Sequence, residues 1–312
     1  MTPTVFIDGA AGTTGLEIAD RLAGRSEFAL VTLDEARRKD PAARREALNA
    51  ADFAILCLPD DAAREAVALI DPGSPVRVID ASSAHRVAPG WTYGFPELVG
   101  HSVVAEAKRV SNPGCYPTGF LALVAPLVRA GLLPANWPYA CNAVSGYSGG
   151  GKALIARFED DADIAFRAYG LGFGHKHVPE MQRWAGLAHA PVFAPAVVPA
   201  HRGMVVEVPL PLAAMPGAGT PQAMREWLAA FYGASRIVRM GAEPAKDSGA
   251  ELLLRRTAEP GDAMELYVFA STDGSQARLV AVLDNLGKGA SGAAVQSLNL
   301  MAGLDETVGL RL

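Results

Sequence analysis

The sequence predicts an α/β chain: a doubly wound parallel sheet first, then an α+β region with a mainly antiparallel sheet. Three observations carry this. Short apolar runs alternate with helical stretches over residues 1–114, the arrangement of a parallel sheet covered on both faces. From about residue 137 longer alternating runs dominate, with fewer helices between them. The last apolar helix pattern, at Ala293, Val295, Leu298 and Met301, is expected to cross back to the first domain.

Taken in order, "TVFIDGA" is a β-branched and apolar strand, and "TTGLEIADRLAG" has helical spacing at Leu16, Ala19, Leu22 and Ala23. "FALVTL" (28–33), "DFAILCLP" (52–59) and "VRVIDAS" (76–82) are further strands, alternating with the helical "PAARREALNA" and "DDAAREAVALI". After Cys115, Pro117 fits a first helical position. Phe120, Leu121, Val124, Leu127 and Val128 then mark one apolar face, and Gly131 supplies a stop. The runs "YACNAVSGYS", "PVFAPAVVPAHRGMVVEVPLPL" and "AMELYVFASTDGSQARLVAVLDN" supply the second sheet, and "PLPLAAMPGAGTPQ" reads as an exposed loop. The expected boundaries are 1–114, 115–286 and 287–312.

Composition limits the function. The chain has 312 residues, 50% of them hydrophobic and 20% charged, enough apolar material for a substantial core. A net charge of -5 offers no electrostatic footprint for nucleic acid, so the expected partners are small molecules. No stretch approaches the ~18–20 apolar residues that span a bilayer, and the first ten residues lack signal-peptide character. A cytoplasmic protein is expected. Three cysteines, Cys57, Cys115 and Cys141, are an odd number in a long chain and read as reduced thiols.

Gly9, Gly12 and Gly15 form G-x-x-G-x-x-G between a strand and a helix. Glycines there permit a tight turn and close approach of backbone N–H groups to a phosphate, and Thr13 and Thr14 add hydroxyl donors. This is the pattern of a Rossmann-type dinucleotide domain. Asp34 stands where an acid bonds a ribose hydroxyl, whereas Arg37, Arg38 and Lys39 follow where a 2'-phosphate is clamped. Three cations against one acid favour NADP.

Cys57 and Cys141 lie in or beside apolar strands and read as small buried hydrophobes. Cys115 does not: its neighbours Asn112, Pro113, Gly114, Tyr116 and Pro117 form turns or are bulky, without apolar periodicity. At a helix N-terminus a thiolate gains about 0.3–1 kcal/mol, so a nucleophilic Cys115 needs a nearby base. Of six histidines, His175 and His177 in "GFGHKHVPEM" share one face of an extended segment, just before a proline-started helix with Glu180 in its first turn. A metal pair is the rival reading, but no further ligand pattern lies beside it. "SGYSGGGK" adds the hydroxyls of Ser145 and Ser148, backbone donors and Lys152, a set fitted to phosphate. A thiol nucleophile in a nicotinamide enzyme implies interconversion of an aldehyde and an activated acyl group.

"GAAGTTG", "SNPGCYPTG", "SGYSGGGK", "GHKHVPE" and "NLGKGASGAAVQSLNLM" occur in that order, and together they resemble the shorter form of the N-acetyl-gamma-glutamyl-phosphate reductase family. The resemblance implies a Rossmann-type NADP domain and an α+β catalytic domain like those of aspartate-semialdehyde dehydrogenase and glyceraldehyde-3-phosphate dehydrogenase. It further implies a thioacyl intermediate, an acyl-phosphate substrate releasing inorganic phosphate, and a homo-oligomer, a tetramer or dimer. Carried over, Cys115 is the nucleophile, His175 the base, and His177 and Glu180 lie on the substrate side. Ser82, Asn285 and Lys288 fall on the cofactor side by the same resemblance. Lys152 stands where longer members carry arginine, which keeps charge but loses bidentate geometry. The rivals are aspartate-semialdehyde dehydrogenase and, in another class, a nucleotide-sensing protein without catalysis.

Overall fold

The computed structural model describes residues 2–242 and 251–312. The chain divides into two compact units, Met1–Pro113 with Ala290–Leu310, and Gly114–Gly289 with Arg311–Leu312.

The first unit contains β1 (Thr4–Asp8), α1 (Thr13–Leu22), β2 (Ala29–Val31), α2 (Pro41–Ala50), β3 (Phe53–Leu56), α3 (Asp60–Ala68) and β4 (Arg77–Asp80). It continues with β5 (Thr92–Tyr93), α4 (Pro96–Val99), α5 (His101–Glu106) and β6 (Arg109–Ser111). All six strands are parallel, in the order β2-β1-β3-β4-β6-β5. Strand alternation splits the core between the two faces. Val5, Ile7, Ile55 and Ile79 pack on one side with Ile18 and Leu22 of α1. Phe6, Leu56 and Val78 pack on the other with Leu48 of α2. The α2 start has a local cause: Asp40 accepts hydrogen bonds from the Ala42 and Ala43 amides at 3.1 and 3.3 Å, and Pro41 occupies the first turn.

The second unit runs α6 (Cys115–Arg129), β7 (Ala140–Gly146), α7 (Gly151–Asp160), β8 (Arg167–Ala168), α8 (Val178–Ala185), β9 (Val192–Val198) and β10 (Met204–Leu210). Then come α9 (Pro221–Phe231), β11 (Val238–Met240), β12 (Met264–Ala270) and β13 (Ala277–Leu283). Its sheet has the order β11-β12-β13-β10-β7-β9-β8. The β12/β13, β13/β10, β10/β7 and β9/β8 pairs are antiparallel, whereas β11/β12 and β7/β9 are parallel. Helix α6 lies close on this sheet because residue 119 is glycine: a Cβ there would stand 2.8 Å from Val206 Cγ2.

A π-helical turn, Gly287–Ser291, leads into α10 (Gly292–Met301), whose Ala294, Val295, Leu298 and Met301 complete the first core face of the first unit. Three local expectations change. Helix α6 begins at Cys115, not Pro117, and runs through Pro126. The glycine-rich lead-in to α10 is a π turn rather than regular helix. The expected loop at 209–222 contains a 3-10 turn, Leu212–Ala214, a buried Met215, and Thr220, which caps α9 by accepting the Ala223 amide at 3.2 Å. Among the described residues no helix is long and apolar enough to cross a membrane.

Candidate active site

Cys115 is the first residue of α6, preceded by Gly114, which provides no side-chain cap. The positive end of the helix dipole therefore lies at Cys115, which suits a thiolate or an oxyanion. The Gly114 amide donates to Glu180 Oε1 at 2.8 Å, and Glu180 is fully buried in the first turn of α8. This bond joins the start of the cysteine helix to the start of the helix that follows both histidines.

His177 stands at the N-cap of α8, and its amide donates to His175 Nδ1 at 3.2 Å. With Nδ1 accepting, neutral His175 carries its proton on Nε2. The two rings meet edge to face at 4.7 Å. Tyr116, next to the cysteine, places its ring 5.9 Å from that of His177, and its hydroxyl donates to the Ala196 carbonyl at 3.0 Å. Tyr169 packs edge-on to His175 at 5.7 Å. Burial, with Cys115 nearby, pushes the Tyr169 phenol up to about 12 and raises that of Tyr116 further. Both are neutral walls of the site.

The π turn also reaches the cysteine. A Cβ at Gly289 would lie 3.0 Å from the Cys115 Cβ, and one at Gly287 would lie 1.8 Å from the Gly261 carbonyl oxygen. Lys288, between these glycines, is 2% exposed. Asn285 uses both ends of its amide inside the second unit, donating to Ser148 Oγ at 3.0 Å and accepting from the Gly203 amide at 2.9 Å. Ser145 is buried, with its hydroxyl donating to the Gly146 carbonyl at 2.9 Å. Lys152 is exposed in the first turn of α7. Among the described residues, no group of three His, Cys, Asp or Glu side chains is placed to hold a metal ion.

The other cysteines differ. Burial, followed by the charges of Asp80 and Asp8, pushes the Cys57 thiol up to about 12, and burial alone raises that of Cys141.

In the first unit, Gly9 has φ +87°, and a Cβ there would lie 2.3 Å from the Cys57 carbonyl oxygen. At Gly15 a Cβ would lie 2.5 Å from the Gly9 carbonyl oxygen, so this glycine sets how closely α1 follows the loop. At Gly12 the nearest protein atom to a Cβ is 3.5 Å away. The protein itself tolerates a side chain there, and a glycine keeps that room for a ligand. Helix α1 starts with no side-chain cap and no acidic residue in its first turn, where Thr13 and Thr14 lie half-buried. Bare glycine, uncapped amides and hydroxyls fit a pyrophosphate.

The basic cluster is less free than its sequence implies. Arg37 pairs with Glu46 at 3.2 Å, Arg38 pairs with Glu35, and Asp34 Oδ1 accepts the Arg37 amide at 2.9 Å. Ser82 donates its hydroxyl to Asp80 Oδ2 at 2.8 Å, and His85 Nδ1 lies 2.6 Å from the same oxygen. Sequence reasoning missed Tyr116, Tyr169 and Gly289. Tyrosines in mixed runs carry no periodic signal, and a glycine needed for contact with a distant residue resembles any other.

Comparison with known proteins follows the same division. The family described as semialdehyde dehydrogenase, NAD binding domain, matches residues 4–106, and the semialdehyde dehydrogenase dimerisation domain matches residues 115–285. An N-acetyl-gamma-glutamyl-phosphate reductase of Burkholderia ambifaria is 52% identical over 312 residues, covering 98% of each chain. An N-acetyl-gamma-glutamyl-phosphate reductase 2 of Pseudomonas putida is 52% identical over 97% of each chain. Among solved structures, a probable aspartate-semialdehyde dehydrogenase from Pseudomonas aeruginosa superposes with a TM-score of 0.70 at 17% identity, covering 96% of this chain and 98% of that one. Aspartate semialdehyde dehydrogenase II from Vibrio cholerae gives 0.67 at 16% identity, covering 97% and 99%. At such identity these neighbours share the fold.

Proposed function

Since the chain belongs to the semialdehyde dehydrogenase family and, within it, to the N-acetyl-gamma-glutamyl-phosphate reductases, we propose that it reductively dephosphorylates N-acetyl-gamma-glutamyl phosphate to N-acetylglutamate 5-semialdehyde in arginine biosynthesis. The observation that carries the reading is the Glu180 bond to the Gly114 amide. It ties the histidine segment to the turn that presents Cys115.

The Cys115 thiolate attacks the acyl carbon, the carbon–oxygen bond to phosphate breaks, and a thioester remains. The exposed Lys152 is the cation we assign to the departing phosphate, with Ser145 and Ser148 shaping the turn before it. When bound, the nicotinamide, assigned as NADPH, supplies a hydride to the thioester carbon. The resulting oxyanion is stabilised by the Nε2–H of His175 and by first-turn amides of α6. Its collapse re-forms the carbonyl and breaks the carbon–sulfur bond, so the thiolate is regenerated. In the oxidative direction the thiohemiacetal hydroxyl gives its proton to His175 at Nδ1, the ring nitrogen that carries no proton, once that nitrogen is released from the His177 amide. His177 and Glu180 hold the segment in place on the substrate side.

Gly9, Gly12, Gly15, Thr13 and Thr14 would hold the cofactor pyrophosphate. Arg37 and Arg38 would meet a 2'-phosphate by exchanging their carboxylate partners for it. Ser82, Asn285 and Lys288 are assigned to the cofactor side through family kinship. A cytoplasmic homo-oligomer, a dimer or tetramer, completes the reading.

The test is phosphate-dependent reduction of NADP with N-acetylglutamate semialdehyde, run beside aspartate semialdehyde and NAD. Turnover of only the aspartate compound would replace the substrate. Equal use of NAD and NADP, in wild type and in the Arg37→Ala, Arg38→Ala double variant, would remove the 2'-phosphate assignment.

A further inference from the structure

Arg37, Arg38, Lys39, Arg44 and Arg45 crowd one short stretch of the first unit. Arg37, Arg38 and Arg45 hold exposed carboxylates, those of Glu46, Glu35 and Asp71. Arg44 holds Asp8 instead, its Nε and Nη2 donating to Asp8 Oδ2 at 3.0 and 2.8 Å. Side-chain exposure separates the pairs: 53% for Arg37 and 39% for Arg38, against 11% for Arg44 and 4% for Asp8. A buried ion pair adds little stability over apolar packing, which leaves room for a functional role.

The pair sits beside the glycine loop. Asp8 is the last residue of β1 and directly precedes Gly9. Arg44 lies in the first half of α2, whose start is fixed by the Asp40 cap and Pro41. Strand β1 pairs with β2 in the register Phe6 to Val31, and that register, continued, sets Asp8 level with Leu33, next to Asp34. One strand spacing, about 4.8 Å, thus separates the anchor of the guanidinium from the end of the strand where a dinucleotide places its adenosine ribose. Asp34 is engaged by its own loop, where Oδ1 accepts the Arg37 amide at 2.9 Å.

The bond to Asp8 occupies one edge of the guanidinium. Both N–H groups of Nη1 and the second of Nη2 stay outside it. The planar fork is therefore oriented before a ligand arrives. Arg37 and Arg38 must each release a carboxylate and lose side-chain freedom on binding. A phosphate at the ribose 2' position matches a preset guanidinium, whereas a 2'-hydroxyl brings no charge to it.

We propose that Arg44, oriented by Asp8, binds the 2'-phosphate of the cofactor and is the residue that separates NADP from NAD, with Arg37 and Arg38 adding charge at the rim. This rests on the NADP assignment made above.

Calorimetry with adenosine 2',5'-bisphosphate and with adenosine 5'-monophosphate reads the adenosine half of the site without turnover. Wild type is expected to favour the bisphosphate, and equal binding of the two would overturn the NADP assignment and this proposal with it. Given that preference, Arg44→Gln should weaken the bisphosphate about 10- to 100-fold, the scale of a charge-assisted hydrogen bond, and leave the monophosphate bound as in wild type. Because Arg44→Gln strands the Asp8 charge inside the fold, the Asp8→Asn, Arg44→Gln double variant, which removes both charges, is measured beside it and should show the same loss. The Arg37→Ala, Arg38→Ala double variant should lose no more than about 5-fold, as exposed charges do. Survival of the wild-type preference in the Asp8→Asn, Arg44→Gln variant, or its disappearance in the Arg37→Ala, Arg38→Ala variant, would overturn the role of Arg44 while leaving NADP in place.

Discussion

At the scale of single residues, three cysteines occupy three environments, and this makes a prediction. Cys57 and Cys141 hold their protons firmly, the first pushed up to about 12 by burial and by Asp80 and Asp8, the second raised by burial. Cys115 is the first residue of a helix whose N-cap is Gly114, at the positive end of the helix dipole. Iodoacetamide near neutral pH should therefore label Cys115 first by peptide mapping, and Cys115→Ser should abolish turnover. Preferential labelling of Cys57 or Cys141 would count against the nucleophile. Glu180 makes a second case. Its carboxylate accepts the Gly114 amide inside the protein, so Glu180→Ala leaves a buried donor without its partner, at a cost of about 1–3 kcal/mol. A lowered melting temperature together with slower Cys115 alkylation is expected, because the turn that presents the thiol loses its tether. Alkylation at the wild-type rate would show that the bond does not position the cysteine. The prominence of Cys115 could be read from its neighbours alone. The bond from the Gly114 amide to Glu180 could not, since the two lie 66 residues apart.

At the scale of elements, helix α6 explains what was legible and what was not. Its apolar spacing marked a helix, but Pro117 drew the start two residues late, because proline is as well tolerated within the first turn as at its opening. Pro126 cannot donate to the Ala122 carbonyl one turn back, and that carbonyl instead accepts the hydroxyl of Tyr232 at 2.9 Å. A proline that reads as a breaker is thus accommodated by a residue 110 positions away. Tyr232→Phe should lower stability by about 1–3 kcal/mol through a stranded buried carbonyl, measured by chemical denaturation. An unchanged midpoint would mean that the carbonyl finds another donor. The π turn carries the opposite kind of prediction. A Cβ at Gly289 would crowd the Cys115 Cβ at 3.0 Å, so Gly289→Ala should reduce kcat more than it changes the melting temperature. A variant that melts early at full specific activity would show the glycine to be purely structural. Strands β1 to β4 were legible as apolar runs, whereas β5 and β6, two and three residues long, are too short to carry a pattern. The second sheet's mixture of parallel and antiparallel pairs was not, since pairing depends on contacts far apart in the chain.

At the scale of the whole molecule, the pattern at Ala293, Val295, Leu298 and Met301 was readable as an apolar helix, and Val295, Leu298 and Met301, with Ala294, fill a core built mainly by residues before Pro113. The two units also differ in what they bury, which sets how each responds to alkali. The first unit holds Cys57, raised from its ordinary 9.0 to about 12. The second holds Cys141, Tyr116 and Tyr139, all raised chiefly by burial, with Tyr169 raised from 10.0 to about 12. Below their ordinary values these groups carry a proton whether folded or unfolded, and pH has no leverage. Above those values the unfolded chain releases protons that the folded chain retains, so stability falls by about 1.4 kcal/mol per pH unit for each group, until the folded value is reached. The loss should begin near about pH 9 for the cysteines and about pH 10 for the tyrosines, and it should be steeper in the second unit, which contains more of them. Calorimetry from about pH 8 to 11 should resolve an unfolding transition that moves down faster for the second unit, with phenolate absorbance from the buried tyrosines appearing only as that transition occurs. Phenolate formation at those tyrosines before unfolding, or a melting temperature that stays level across the range, would show that burial does not hold these protons.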